Sequence, residues 1–311
     1  MTEVIIDSLI DSAKVLPFLF VVYVLIEVIE KKLMFASKAK RLLRGKYAPL
    51  IGVGMGLIPQ CGFSVMATNL YLSQNITVGT LLAVFIATSD EAIPILISNP
   101  ATAWKLFPML AIKVIYALFI GYLLDVIFRK RNEEIFRKKD EEEREKAARH
   151  EDTNEEDEEE IGCCHHELKK DDGKHRDKKE ILKDYIGHPL IHSIKVFIYI
   201  LIINFAFGTL IYYVGQEKIT LFLAESGWYQ PFVAGLIGLI PNCAASVIIS
   251  QLYILGGISF GSCVIGLSVN AGIALALLFR KSKNLKDNLF ILAVLYLSGV
   301  ILGLALTPIP W

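Results

Sequence analysis

The apolar positions of this chain gather into long runs. Val15–Leu33, Val78–Ser98, Phe107–Phe128, Ile194–Val214, Phe260–Phe279 and Leu289–Leu306 are each about the ~20 residues that a membrane-spanning helix needs. Two further apolar stretches, Pro49–Ser73 and Phe232–Leu255, are interrupted near the middle by Pro59-Gln60-Cys61 and Pro241-Asn242-Cys243. Glycines crowd the approach, with Gly52, Gly54 and Gly56 in the first and Gly235 and Gly238 in the second. Proline lacks an amide donor and glycine is a poor helix former, so each stretch is expected to be two short helices with a break between them. Each half, about 11–13 residues or ~16–20 Å long, reaches the middle of a bilayer.

The two interrupted stretches are copies. At a constant offset of 182, positions 56–79 match 238–261 at 11 of 24 residues without a gap, including Gly56, Pro59, Cys61, Ser64, Tyr71 and Gly79. Upstream, Ser12-Ala-Lys14-Val15 pairs with Ser193-Ile-Lys195-Val196 at an offset of 181. The chain therefore reads as two halves, roughly 12–128 and 190–306, joined by a charged insert. The division is residues 1–128 and 188–311 as transmembrane repeats, with 129–187 as a partly disordered cytoplasmic insert.

Composition supports that division. Of 311 residues, 54% are hydrophobic and 21% charged, with a mean hydropathy of +0.49. Between Arg129 and Gly187 lie 16 of the 32 Lys and Arg residues and 21 of the 32 Asp and Glu residues. That is an integral membrane protein with a polar insert, and its zero net charge gives no reason to expect a nucleic-acid partner. Five cysteines make no disulfide framework: Cys61, Cys243 and Cys263 lie in apolar stretches, Cys163 and Cys164 side by side in the insert. Glu3, Asp7 and Asp11 stand where a secretory signal would be basic, so no cleaved signal peptide is expected.

Loop charge predicts the topology. The segment after the first span holds Lys31, Lys32, Lys38, Lys40, Arg41, Arg44 and Lys46, and Arg129-Lys130-Arg131 follows the third, so both are expected in the cytoplasm. Two full spans between them allow this only if Pro49–Ser73 enters and leaves on one side as a hairpin. In the second half the basic loop, Arg280-Lys281-Ser-Lys283, lies between the last two spans instead. The second half is therefore expected upside down, with both termini outside and the insert inside. Trp104, Trp228 and Trp311 then fall at the outer interface. The predicted fold class is an all-α integral membrane protein of two inverted-topology repeats, about five helical segments each. Its broken hairpins meet near the bilayer midplane, the build of many secondary transporters.

The doubled Gly-x-x-Pro-x-Cys motif, in a 5+5 segment inverted repeat with a charged, His-containing central loop, resembles the ten-transmembrane heavy-metal exporter family. Members of that family carry labels such as arsenic efflux protein or manganese transporter. A more distant likeness is to organoarsenical permeases. The resemblance implies membrane export of a metal ion or metalloid, centred on Pro59-Gln60-Cys61 and Pro241-Asn242-Cys243.

Thiolates at Cys61 and Cys243 would suit soft ions or trivalent arsenic, while neutral thiols would only pack. Gln60 and Asn242 offer amide oxygens for harder ions, and Ser64 and Ser246 add hydroxyls a helical turn along. The sharper signal is Thr88-Ser-Asp90-Glu91-Ala-Ile-Pro94, inside the second full span. Carboxylates at that depth cost at least ~2.5–3.5 kcal/mol each, so they face a cavity, pair with a cation or stay protonated. Their repeat mates are Gly272 and Ile273, so the acids lie outside the shared scaffold, whereas Thr88 is answered by Asn270. A structural alternative pairs one acid with Lys113 in the next span. Glu27 and Glu30 beside Lys31 and Lys32 read as interfacial charges, and Asn204 as an interhelical hydrogen bond.

In the insert, Arg129–His150 has i,i+4 pairs Glu133/Arg137 and Glu134/Lys138, predicting that the preceding span continues as a solvated helix. Glu151–Glu160 is almost purely acidic. Cys163-Cys164-His165-His166 lacks the spacing of a structural zinc site, and reads as a linker or a weak metal-collecting loop. The first functional reading is a proton-coupled secondary transporter exporting a divalent or heavy metal, Mn-like or softer. Its partners are the metal or metalloid substrate, protons, the lipid bilayer and a second copy of the chain in a homo-oligomer. It carries no Walker A motif, and neither a cofactor nor an enzymatic activity is expected. A metalloid permease on the same core is the alternative. A membrane metal sensor or enzyme built on the insert is the third reading, with no H-E-x-x-H or nucleophile–base arrangement behind it.

Overall fold

A computed structural model describes residues 42–58, 61–88, 92–98, 103–149, 227–282 and 284–307, with isolated positions between 194 and 221. Every regular element among them is a helix. In chain order these are α1 (Ala48–Gly56), α2 (Cys61–Leu72), α3 (Val78–Ala87), α4 (Ala92–Ser98), α5 (Leu106–Ile127) and α6 (Arg129–Arg149). After a 3₁₀ turn at Gly227–Tyr229 come α7 (Gln230–Gly238), α8 (Cys243–Ile254), α9 (Phe260–Val269), α10 (Ile273–Lys281) and α11 (Leu285–Leu306). Val15–Leu33, Glu27, Glu30 and Asn204 lie outside the described residues; those described within Ile194–Val214 are helical.

The same local chemistry starts and stops the matched helices. Pro49 and Pro231 occupy the first turns of α1 and α7, where the missing amide costs nothing. The Thr77 hydroxyl caps α3 by accepting from Thr80 N at 3.0 Å, and Ser259 caps α9 by accepting from Ser262 N at 3.1 Å. Helix α1 ends at Gly56 and α7 at Gly238, just before the two Pro-x-Cys triplets, and α2 and α8 begin on the cysteines. The expected breaks are present, with nine-residue helices before them and twelve-residue helices after.

Packing is reciprocal. α1 packs on α3 as α7 packs on α9, and α3 on α5 as α9 on α11. Across the halves, α2 lies against α10 while α8 lies against α4, and α3 touches α9. Small residues permit these crossings. A Cβ on Gly56 would strike the Val84 carbonyl, and one on Gly238 would strike the Gly266 carbonyl. Likewise Gly79 abuts the Gly121 carbonyl and Gly261 the Gly303 carbonyl. Each member of these pairs sits 182 residues from its counterpart. Helices α3 and α9 form the centre: Leu81–Ala87 and Phe260–Val269 are buried throughout. The long α5 and α11 hide one side and expose apolar side chains on the other, among them Ile115, Phe119, Leu297 and Ile301. An outward apolar face on a long apolar helix is what a lipid-facing span presents. Leu106–Ile127, Phe260–Lys281 and Leu285–Leu306 are long and apolar enough to cross a membrane.

Two expectations are corrected. Val78–Ser98 and Phe260–Phe279 are not uninterrupted helices. The first breaks after Ala87, where Thr88 turns extended (φ −60°, ψ 134°) and bonds its own side chain back to the Val84 carbonyl. The second breaks at Asn270–Gly272, where Gly272 takes φ +55°, a conformation that favours glycine. Helix α6 does continue α5, but its charges pair differently. Glu134 bonds Lys138 at 2.9 Å as expected, whereas Glu133 takes Arg129 at 2.9 Å and leaves Arg137 to Glu141 at 3.7 Å. Nor is α6 merely solvated. Lys139 donates to the Ser73 carbonyl and to Asn75 Oδ1, while Arg44 reaches from before α1 to Asp140 at 2.8 Å, tying α6 to the α2–α3 loop.

Candidate functional site

The breaks in α3 and α9 leave carbonyls without helical partners in the most buried part of the molecule. In α9, the Ala271 amide that would normally bond the Leu267 carbonyl turns to Val269 O at 2.9 Å instead. Lys113, fully buried on α5, supplies the missing donor. Its Nζ donates to Leu267 O at 3.0 Å and to Thr88 O at 2.6 Å. One ammonium thus joins the ends of two half-helices, one from each set. Lys113 sits in the middle of an apolar span, and the residue 182 positions on is Leu295.

A chain of hydroxyls continues from Thr88. The Thr88 hydroxyl donates to Val84 O at 2.8 Å, so it accepts the Ser64 hydroxyl lying 3.0 Å away. One turn along α2, Thr68 donates to Ser64 O at 3.0 Å and reaches the Ala274 carbonyl of α10 at 3.5 Å. Ser64, Thr68 and Thr88 are all buried. Of the residues singled out in the sequence, Ser64 and Thr88 are therefore brought into direct contact. Asn242 and Asn270 serve their own breaks: Asn242 Oδ1 accepts from Ala244 N at 3.1 Å, and Asn270 Oδ1 from Gly272 N at 2.9 Å. Ser246 is buried on α8 one turn past Cys243.

Cys61 and Cys243 open α2 and α8, and Pro241 lies in the turn before α8; nothing is described of the two thiols' directions. Pro59, Gln60, Asp90, Glu91 and the insert's Cys163, Cys164, His165 and His166 lie outside the described residues. Among the described residues no three His, Cys, Asp or Glu side chains converge. From the sequence Lys113 is expected to pair with a carboxylate, Asp90 or Glu91, which lie outside the described residues, while Thr68 and Ser250, both buried, are not singled out there. The signal for the last two was the i,i+4 spacing of Ser64/Thr68, repeated as Ser246/Ser250.

The two ends of the molecule carry a second matched feature. At one end Arg131 bonds Asp287 at 2.8 Å beside a cavity of about 300 Å³ lined by Tyr71, Thr77, Asn132 and Asn284. At the other, Lys105 Nζ lies 5.3 Å from the Tyr253 ring centroid. Tyr253 is the mate of Tyr71 and Asp287 the mate of Lys105, both at an offset of 182.

Long apolar spans, helices broken in the buried centre and a charge held at the breaks are the anatomy of a multi-pass membrane protein that moves something polar. No curated protein and no solved structure matches the chain. Residues 1–170 and 191–310 match the family described as "Putative, 10TM heavy-metal exporter", and with nearly its whole length accounted for the chain belongs to that family of multi-pass membrane metal transporters.

Proposed function

We propose that this protein is a secondary transporter exporting a divalent or heavy-metal ion, Mn-like or softer, in exchange for protons. The observation that carries the reading is the polar network at the α3 and α9 breaks, where Lys113, Thr88 and Ser64 sit fully buried beside helix ends from both halves. Irregular backbone at membrane depth persists only where protein covers it or where it lines a cavity, and paired broken helices build the central sites of secondary transporters. The reciprocal packing of the two helical sets supports reading them as repeats, and the swapped places of the basic loops support reading those repeats as inverted. With the basic loops inside, the termini lie outside and residues 129–187 in the cytoplasm; the exposure of Trp104 and Trp228 suits an outer interfacial belt.

In this reading the ion meets Gln60, Cys61, Ser64, Thr88, Asp90 and Glu91 from one half and Asn242, Cys243, Ser246 and Asn270 from the other. Asp90 and Glu91 exchange protons for the metal, and the amides and hydroxyls serve a hard ion. The insert's Cys163, Cys164, His165 and His166 collect metal weakly in the cytosol. Proton movement in vesicles tests this: Asp90→Asn or Glu91→Gln abolishes metal-dependent proton flux, and Cys61→Ser impairs soft metals more than Mn2+.

One observation favours a second reading, a metalloid permease. Cys61 and Cys243 take the same opening position in matched helices, so each half offers one soft donor at the equivalent place. If both acid variants transport normally at every pH while Cys61→Ser abolishes export, the permease replaces the antiporter.

A further inference from the structure

The helix ends that Lys113 touches are places where a free cation would ordinarily bind. The C-terminal end of a helix carries partial negative charge on its unpartnered carbonyls. In transporters with broken helices, such ends coordinate the monovalent coupling ion. Here the position is filled by a side chain, with Nζ 2.6 Å from Thr88 O and 3.0 Å from Leu267 O. The two carbonyls belong to α3 and α9, which pack against each other across the two helical sets. Lys113 has no solvent exposure, and its mate Leu295 is equally buried and uncharged. The ammonium is therefore an addition to one half of a shared scaffold.

We propose that Lys113 is a tethered cation filling a built monovalent-cation site between the ends of α3 and α9, and that it frees this protein from any need for Na+ or K+. The second clause rests on the transport reading; the site itself rests on the carbonyl geometry. An ammonium group and K+ are similar in size, and both are satisfied by carbonyl oxygens. Tethering removes the entropic cost of capturing a free ion. It also means that the charge cannot leave with the substrate, so no gradient of that ion can drive the cycle.

Thermal unfolding of the purified full-length chain tests the site without any transport. Wild type should melt at one temperature whether choline, Na+, K+ or ammonium chloride is present at equal ionic strength. K113A should melt lower in choline and recover in ammonium or K+, by roughly 3–5 °C at 100 mM if the vacated site binds near 10 mM. K113M keeps the apolar stem and vacates only the head-group position, so it should respond likewise if K113A fails to accumulate. A wild type stabilised by Na+ or K+ over choline overturns the proposal, as does a folded K113M indifferent to every cation. Metal export by wild type in vesicles should also stay within about twofold when choline replaces Na+ and K+. A strong dependence there removes the second clause. Absence of any metal movement, with K113M still rescued by ammonium, leaves the cation site standing and removes the transport reading.

Discussion

Thr88 and Asn270 stand at equivalent places in the two halves and end their helices by different means. Thr88 turns extended, folds its hydroxyl back onto Val84 and hands its carbonyl to a buried lysine. Asn270 caps the next turn with its own amide oxygen, and Gly272, two residues on, takes a positive φ. Around them the packing is shared: Gly56 meets Val84 as Gly238 meets Gly266. The charges are not shared. Asp90, Glu91 and Lys113 in the first half correspond to Gly272, Ile273 and Leu295 in the second. Close packing is demanded of both halves by folding, whereas buried charge is costly, and among the described residues it is found at Lys113 and not at its mate Leu295. That division separates what holds both halves together from what one half adds to the shared scaffold.

The largest effect should come from imposing the charge on the half that lacks it. Leu295 is 1% exposed and packed in the core, so Leu295→Lys places an ammonium with no evolved partner there. A loss of about 3–5 kcal/mol is expected, as when one partner of a buried ion pair is removed, and little folded protein should survive detergent extraction. A variant as stable as wild type would show that burial does not distinguish the halves. Next come the shared crossings. Gly56→Ala and Gly238→Ala each push a methyl group into a facing carbonyl and should each cost about 1–3 kcal/mol, by similar amounts, in thermal or denaturant unfolding. A large cost at one site and none at the other would break the equivalence.

How much of this was legible in the sequence follows the same line. Pro59 and Pro241 announced their breaks because proline acts locally, whatever surrounds it. The 182-residue offset extends from the matched residues to the backbone they cross, Val84/Gly266 and Gly121/Gly303. The breaks at Thr88 and Asn270 were hidden inside runs that satisfy hydropathy, since a hydropathy window weighs composition and is blind to φ and ψ. Ser-Asp-Glu before Ala92 and Asn-Ala-Gly before Ile273 were the available hints, both being helix-start or turn chemistry. Two partners of Lys113, the Thr88 and Leu267 carbonyls, could not be read at all, because they are backbone atoms 25 and 154 residues away. A carbonyl leaves no mark in the sequence.

The two ends of the molecule give a smaller contrast. Arg131–Asp287 is a partly exposed ion pair, and Lys105 against Tyr253 is a cation–π contact. Asp287→Asn should lower stability by about 0.2–1 kcal/mol and lose that effect in high salt. Tyr253→Leu should cost about as much for the lost cation–π contact, with little salt dependence, because the ring is buried. Equal salt sensitivity at both ends would mean that the tyrosine end is ionic too.

The smallest effect sets an exposed lysine against the buried one. Lys138 on α6 pairs with Glu134 in full contact with solvent, and its hydrogen bond and charge hold the Glu134 carboxyl below its usual range. A carboxylate whose pKa is lowered by folding stabilises the helix above its unfolded pKa and ceases to do so as pH falls through the lowered value. From neutral pH down through that range, α6 should therefore fray while the helices around Lys113 hold. Amide hydrogen exchange, compared between wild type and Glu134→Gln at each pH, isolates the effect from the intrinsic pH dependence of exchange. Wild type should exchange more slowly than the variant along α6 at pH 7, and the two should converge in acid with no change in the overall melting temperature. A gap that persists in acid would mean that Glu134 acts through something other than its charge. Convergence in acid instead shows one ammonium stabilising its helix only modestly and pH-dependently at the surface, while the other, held between two helix ends, is tied to the integrity of the centre.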